Sequence, residues 1–265
     1  MQLFVQLIAG FVIAAVIALA ARRVGSLSSS GSLAAVVVGG SSVAAGWLWG
    51  ALLILYFVAT VSLSRIGAKE KERRTSGVVA KSGARDAVQV LANGGIFAAG
   101  ATLAVLIGGQ PGAVIAAAAA GALAASAADT FATEIGTLGG GVPWSLATRR
   151  RAEPGTSGAV SVAGIVAMIV GALLVAVAAH ALGLTDNAPA VAIGGVSGAI
   201  ADSLLGATVQ ERRWCHACDQ STERHVHSCG TATSLAGGFE WMDNDVVNLL
   251  ATAVGAMVAG AVAAL

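Results

Sequence analysis

Gly112-Ala113-Val114-Ile115-Ala116-Ala117-Ala118-Ala119-Ala120-Gly121-Ala122-Leu123-Ala124-Ala125-Ser126-Ala127-Ala128 runs straight into Asp129-Thr130-Phe131-Ala132-Thr133-Glu134-Ile135-Gly136. The first part is almost wholly Ala, Gly, Val, Ile and Leu and reads as a membrane-embedded helix. The second part brings that helix to an end in two carboxylates. A charge at membrane depth costs about 3 kcal/mol on insertion scales, so it needs a partner or a task. At helical spacing Asp129 and Thr133 share one face, and Thr130 and Glu134 share the adjacent one. Ala199-Ile200-Ala201-Asp202-Ser203-Leu204-Leu205-Gly206-Ala207-Thr208 has the same look. Two such helices packed together bring Asp129 and Asp202 side by side, because Gly and Ala permit close approach. The acids then either bridge helices by hydrogen bonds or form a divalent-cation or catalytic site, and the second reading is the more informative.

Composition agrees with a membrane setting. Of 265 residues, 56% are hydrophobic and 11% charged, where a soluble domain carries roughly 25% charge. Mean hydropathy is +0.81. The expected fold is all-α: a polytopic transmembrane bundle of about eight spans (six to eight), forming a single integral-membrane domain over residues 1–265. The first span, Leu3 to Ala21, is followed rather than preceded by its charges, Arg22-Arg23, which is not the order of a signal peptide. Further spans are expected at 33–46, 47–64, 87–107, 112–136, 159–182, 189–210 and 245–265. All 15 Lys and Arg fall after the first, third, fifth or seventh span. Those loops share one side, which the positive-inside rule makes cytoplasmic, with both termini outside. The interval from Asp129 to Gly155-Thr156 resembles that from Asp202 to Gly230-Thr231, a weak internal repeat of the kind that builds a central site.

The charged side therefore holds the helix-end acids, basic loops, and Asp243-Asn244-Asp245 leading into Val246-Val247-Asn248. Carboxylates that hold Mg²⁺, together with Lys and Arg that hold phosphoryl oxygens, are the usual parts for handling phosphate. Glycine turns such as Gly155-Thr156-Ser157-Gly158 offer backbone N–H groups to an anion, and no Walker motif occurs. Net charge is +1, so bulk charge names no partner and does not call for nucleic acid. The three cysteines lie between Cys215 and Cys229, too few and too clustered for a secreted disulfide framework. Cys215-x₂-Cys218 with His227 and Cys229 supplies a tetrahedral Zn²⁺ set within a knuckle-like loop, 211–244; His216 and His225 are the other candidate imidazoles.

Five segments together resemble the integral-membrane family catalogued as domain of unknown function 92, which includes transmembrane protein 19 and phytyl-phosphate kinases. They are Arg85 to Gly94, Ala128 to Gly136, Gly155 to Ser161, Gly198 to Gln210 and Asp243 to Asn248, in the family's order and over most of the chain. The resemblance implies a membrane-embedded kinase that moves a phosphoryl group from a nucleoside triphosphate, CTP among the donors, to a polyprenyl or phytyl monophosphate. On that reading Asp129, Asp202, Asp243 and Asp245 hold Mg²⁺, and Glu134 joins the catalytic acids. Lys81, Arg85 and Arg150 clamp phosphates, while Gln89, Asn93, Thr156, Asn244 and Asn248 orient substrate or nucleotide. The expected partners are a prenyl-phosphate lipid, a nucleotide and the bilayer of the plasma membrane, with homo-oligomers left open. The competing reading is an ion-coupled transporter or lipid-phosphate translocator, in which the same acids bind a coupling ion.

Overall fold

Arg85 lies where three early segments of the chain return to one another, and this fixes the course of the first helices. In the computed structural model, which describes residues 2–75, 77–80, 83–139 and 141–265, helix α1 (Gln2–Arg23) leads to α2 (Ser29–Ala45). Ser28 caps α2 with its hydroxyl, and its backbone N–H donates to Arg85 O at 3.0 Å. At the other end Gln6 Nε2 donates to Val43 O at 2.7 Å, so α1 and α2 are antiparallel. Gly46 turns the chain into α3 (Trp47–Arg65), whose last residue reaches back to Ser26 Oγ at 3.0 Å. Within the basic segment, expected only as loop, Ala68–Thr75 forms a short helix, α4.

Asp86 starts α5 (Ala87–Ile107) with a capping box, its carboxylate accepting from Gln89 N while Gln89 Oε1 accepts from Asp86 N. Gly108, at φ +63°, separates α5 from α6 (Gly109–Leu138), which contains the opening stretch. A two-stranded hairpin follows, β1 (Trp144–Ser145) and β2 (Ala159–Val160). Then come α7 (Val162–Ala181) and α8 (Ala188–Thr208). A three-stranded sheet, ordered β4-β3-β5, fills the cysteine loop: β3 (Arg212–Cys215), β4 (Gln220–Thr222) and β5 (Ser234–Gly237). Asp243 caps α9 (Asn244–Ala263).

Seven of these helices are long and apolar enough to cross a membrane. Helix α2, at 17 residues, is shorter yet runs from the Arg85 end to the opposite one. Among the described residues the chain thus passes eight times between the same two ends, within the range the sequence predicts. Every described Lys and Arg sits at one end, here called the basic end, and α1 begins and α9 finishes at the other.

Helix α6 forms the centre, buried on nearly all sides from Ala116 to Ala128. Its neighbours approach through glycines. A Cβ on Gly198 of α8 would lie 2.6 Å from Ala251 O of α9, and one on Gly194 2.5 Å from Gly255 O. One on Gly171 of α7 would lie 2.8 Å from Ala127 O of α6. Backbone-to-backbone packing at this distance is the main attraction available between helices in lipid, since an interhelical side-chain hydrogen bond adds only about 0.6 kcal/mol.

Candidate functional site

Because α6 and α8 pack so closely, Asp129 and Asp202 meet near the basic end, their carboxyl groups within hydrogen-bonding reach of each other. Asp202 Oδ2 is buried and has no hydrogen-bond partner among the described residues. Two carboxyl groups in contact require a shared proton or a cation between them, and an orphaned buried oxygen suits the second. The donor set fits Mg²⁺, a hard ion that takes oxygen ligands.

The segment Gly155–Gly158 lies against the end of α8, one turn beyond Asp202. Gly158 adopts φ +70°, and a Cβ there would sit 2.3 Å from Ala207 N, so only glycine lets the loop come down this far. Ser157 Oγ donates to Glu223 of the cysteine loop, and Gln210 Nε2 donates to the same carboxylate at 2.9 Å. Glu223 lies close enough to Asp202 to act on it electrostatically, and Glu211 and Asp243 act on Glu223 in turn. Burial pushes the Glu223 carboxyl up from its usual value. Sequence reasoning passed over Glu223, and the one signal for it was an acid placed two residues before the His-rich turn.

On the other side of the pair, a cleft with a volume of about 120 Å³ opens between α1, α2, α3 and α5. Its walls are apolar over most of their length, with Ile13, Ile17, Val38, Leu53 and Phe57 among them. At the basic end they turn polar, through Arg85, Gln89, Asn93 and Thr130. Thr130 is the neighbour of Asp129 in the chain, and Tyr56, also in the wall, lies near both Arg85 and Asp129. The Asn93 amide is held from both sides: its Nδ2 donates to Gln89 O at 2.8 Å, and its Oδ1 accepts from Ser126 at 2.7 Å. Ser126 also pairs with Tyr56 at 2.7 Å. Asn93 therefore presents a fixed polar wall, and Gln89 contributes its oxygen to the capping box.

The remaining expected residues are more dispersed. Glu134 does not join the acid pair; Lys71 of α4 forms a salt bridge with it, and Ser64 Oγ donates to it at 2.5 Å. Lys71 is buried and also donates to Leu63 O at 2.9 Å, so this ion pair fastens α4 to the ends of α3 and α6. Asp243 spends Oδ1 on the N–H groups of Asp245 and Val246 as the cap of α9. Asp245 is buried and Asn248 half-buried, on the α9 face that also carries Thr252, whose hydroxyl donates to Ala92 O of α5 at 3.0 Å. Asn244 and Arg150 are exposed, and Thr156 is half-buried in the turn above α8. Lys81 lies outside the described residues.

Cys215, Cys218, His227 and Cys229 converge, with ligand atoms all within 4.8 Å of one another. Cys215 and Cys229 sulfurs are 3.6 Å apart, and His227 Nδ1 lies 3.2 Å from Cys229. Thiolates bound tetrahedrally at about 2.3 Å from Zn²⁺ stand at nearly that sulfur separation, so the cluster fits the metal. Hydrogen bonds with Thr231 first, and with His227, hold the Cys229 thiol down at about 5, while its hydrogen bond with Cys229 and partial burial push the Cys218 thiol up to about 11. His216 instead pairs with Ser234 at 3.0 Å, and His225 faces Glu211 at 3.6 Å, which leaves His227 as the imidazole of the set.

These features define a polytopic integral membrane protein whose loops fold over one end of its bundle. Residues 12–256 match the family described as integral membrane protein DUF92, and the chain belongs to that family. It is 28% identical to Protein PGR of Arabidopsis thaliana, with 92% of each chain covered. An uncharacterized membrane protein of Methanocaldococcus jannaschii is 29% identical over 80% of this chain and 87% of its own. One of Synechocystis is 27% identical over 82% of this chain and 74% of its own. No solved structure matches.

Proposed function

We propose that this protein is a membrane-embedded prenyl-phosphate kinase, which transfers the terminal phosphoryl group of a nucleoside triphosphate such as CTP to a polyprenyl or phytyl monophosphate. The observation that carries the reading is the cleft. Its apolar length suits a hydrocarbon chain and its polar end suits a phosphate, and that end adjoins the Asp129–Asp202 pair. Arg85 is the cation at the junction and would hold the lipid phosphate there. An oxygen of that phosphate attacks the terminal phosphorus of the nucleotide, and the bond to the departing nucleoside diphosphate breaks. The acceptor is already anionic, so no general base is needed, and the protein's share is positioning and charge neutralisation. Asp129 and Asp202 would hold Mg²⁺, which supplies neutralisation of the charge on the transferred group. Asp243 and Asp245, at the start of α9, are the reserve acids for a second ion or for the nucleotide side.

The four-residue Cys/His cluster would carry a structural Zn²⁺. The basic end would face the cytoplasm of a cell whose plasma membrane holds the bundle, where soluble nucleotide is available. The test is turnover by the purified protein in detergent, given Mg²⁺, a nucleoside triphosphate and a prenyl monophosphate, with products identified by mass. Formation of the prenyl diphosphate is expected. If the lipid monophosphate is returned unchanged while the nucleotide stays intact, the kinase reading fails and the ion-coupled transporter becomes the better account of the acid pair.

A further inference from the structure

Residues 222–224 grip residues 78–80 at three successive points. Val78 O accepts from Glu223 N at 2.8 Å and from Thr222 Oγ1 at 3.3 Å. Val79 O accepts from Arg224 Nε at 2.9 Å, and Ala80 N donates to Glu223 Oε2 at 3.3 Å. The second oxygen of Glu223 takes Ser157 Oγ and Gln210 Nε2. One half-buried carboxylate therefore joins three segments: the chain leading to Arg85, the glycine turn over α8, and the residues that follow α8.

The position of Glu223 is in turn set by the Cys/His cluster. Strand β4 pairs with β3 so that Gln220 stands opposite Cys215 and Thr222 opposite Arg213. From the other side, Thr233 N donates to His225 O at 3.0 Å, and Thr233 Oγ1 donates to Arg224 O at 2.6 Å. Arg213 Nε closes the ring by donating to Thr233 Oγ1 at 2.8 Å. Glu223 thus hangs from a small sheet whose ends are the cysteine and histidine ligands. Gly77 lies directly on that sheet; a Cβ there would be 3.9 Å from His227 Nε2.

We infer that Glu223 is a positioning residue of the site, through which the Cys/His knuckle holds the 77–80 segment and the Gly155–Gly158 turn over Asp202, so that metal occupancy of the knuckle governs the order of both. The role of those loops in holding phosphate rests on the kinase reading; the coupling itself does not. Without the metal, the sheet loses the tie between Cys215, Cys218 and Cys229, and Glu223 loses its fixed distance from Ser157 and Ala80.

The experiment is hydrogen exchange followed by mass spectrometry on the full-length protein in detergent, with Zn²⁺ bound, after stripping by a chelator, and in the Glu223→Ala and Glu223→Gln variants. Stripping the wild type is expected to speed exchange of the amides at 77–80 and 155–158 by about tenfold or more, while α7 is unchanged. Glu223→Ala, with its metal still bound at the wild-type level, should speed exchange to the same degree at 155–158 and at the Ala80 amide, the groups its carboxylate holds. Glu223→Gln, which keeps one acceptor oxygen, should loosen one of the two loops and spare the other. Should the alanine variant fail to fold, stripping and the glutamine variant still decide. Both loops staying within about twofold of wild-type protection after stripping, or in either variant, would overturn the inference. Failure of the kinase reading shows instead as absent turnover in the wild type, with the exchange pattern intact.

Discussion

The two halves of the bundle differ in what they leave beside the acid pair. In α6, α7, α8 and α9, glycines press against backbone carbonyls of neighbouring helices, and an added methyl group has nowhere to go. In α1, α2, α3 and α5, Gly10 and Gly40 still bring α1 and α2 together, but Ile13, Val38 and Phe57 line a cleft that opens between the four helices. The first half fixes two carboxylates against each other to within a hydrogen bond. The second leaves room for a chain-like molecule beside them. The carboxylates are fixed by close backbone packing, and the space beside them is lined by a mixture of small and large apolar residues.

The largest expected effect lies where the halves meet. Asp129→Asn keeps the size and hydrogen-bonding capacity of the side chain but removes a charge. If the pair holds Mg²⁺, prenyl-phosphate-dependent turnover falls at least a hundredfold, about 3 kcal/mol of barrier. Asp202→Asn should behave alike, and the double variant should be little worse than either single one. Near-wild-type turnover in folded Asp129→Asn would reduce the pair to a link between helices.

Next comes packing. Gly198→Val should destabilise the bundle by roughly 3 kcal/mol, because its new atoms meet Ala251 O and Ala125. Thermal unfolding in detergent measures this, and an unchanged melting temperature would mean that the tight half can yield. Cys218→Ser should lower the melting temperature by ~5 °C with loss of about one zinc per chain on elemental analysis, before any step of turnover changes. Equal metal content in wild type and variant would remove Cys218 from the site. The smallest effect belongs to the open half. Ala35→Phe, in the cleft wall, should cost about 1 kcal/mol of stability and raise KM for a long-chain prenyl phosphate about tenfold, with kcat little changed. A drop in stability as large as that of Gly198→Val would erase the contrast between the halves.

The sequence carries this contrast unevenly. The spans, their number and the gathering of basic residues at one end are legible because hydropathy and charge act locally along the chain. The Asp129–Asp202 contact is also within reach, since two small-residue helices ending in the same motif have reason to pack. Glu134 marks the limit. It shares its motif with Asp129, but whether it faces the site or Lys71 depends on where α4 folds back, and nothing near Glu134 records that. Glu223 marks the same limit from the other direction, for its partners Ala80, Ser157 and Gln210 come from three distant segments. The cleft is the least legible feature, because its lining comes from five helix segments, which no single stretch specifies.

The proposed kinase activity requires a lipid phosphate lying in that cleft with its head beside the acid pair. A prenyl monophosphate bearing a photoreactive group at the far end of its chain tests this directly, with the labelled peptides mapped after irradiation of the wild-type protein. Label is expected on the deep wall of the cleft, around Ile13 and Ile17 of α1 or Leu53 and Ile54 of α3, and competition by unlabelled prenyl phosphate should remove it. Label that concentrates on α7 or α9, or that the unlabelled lipid fails to displace, would contradict the account.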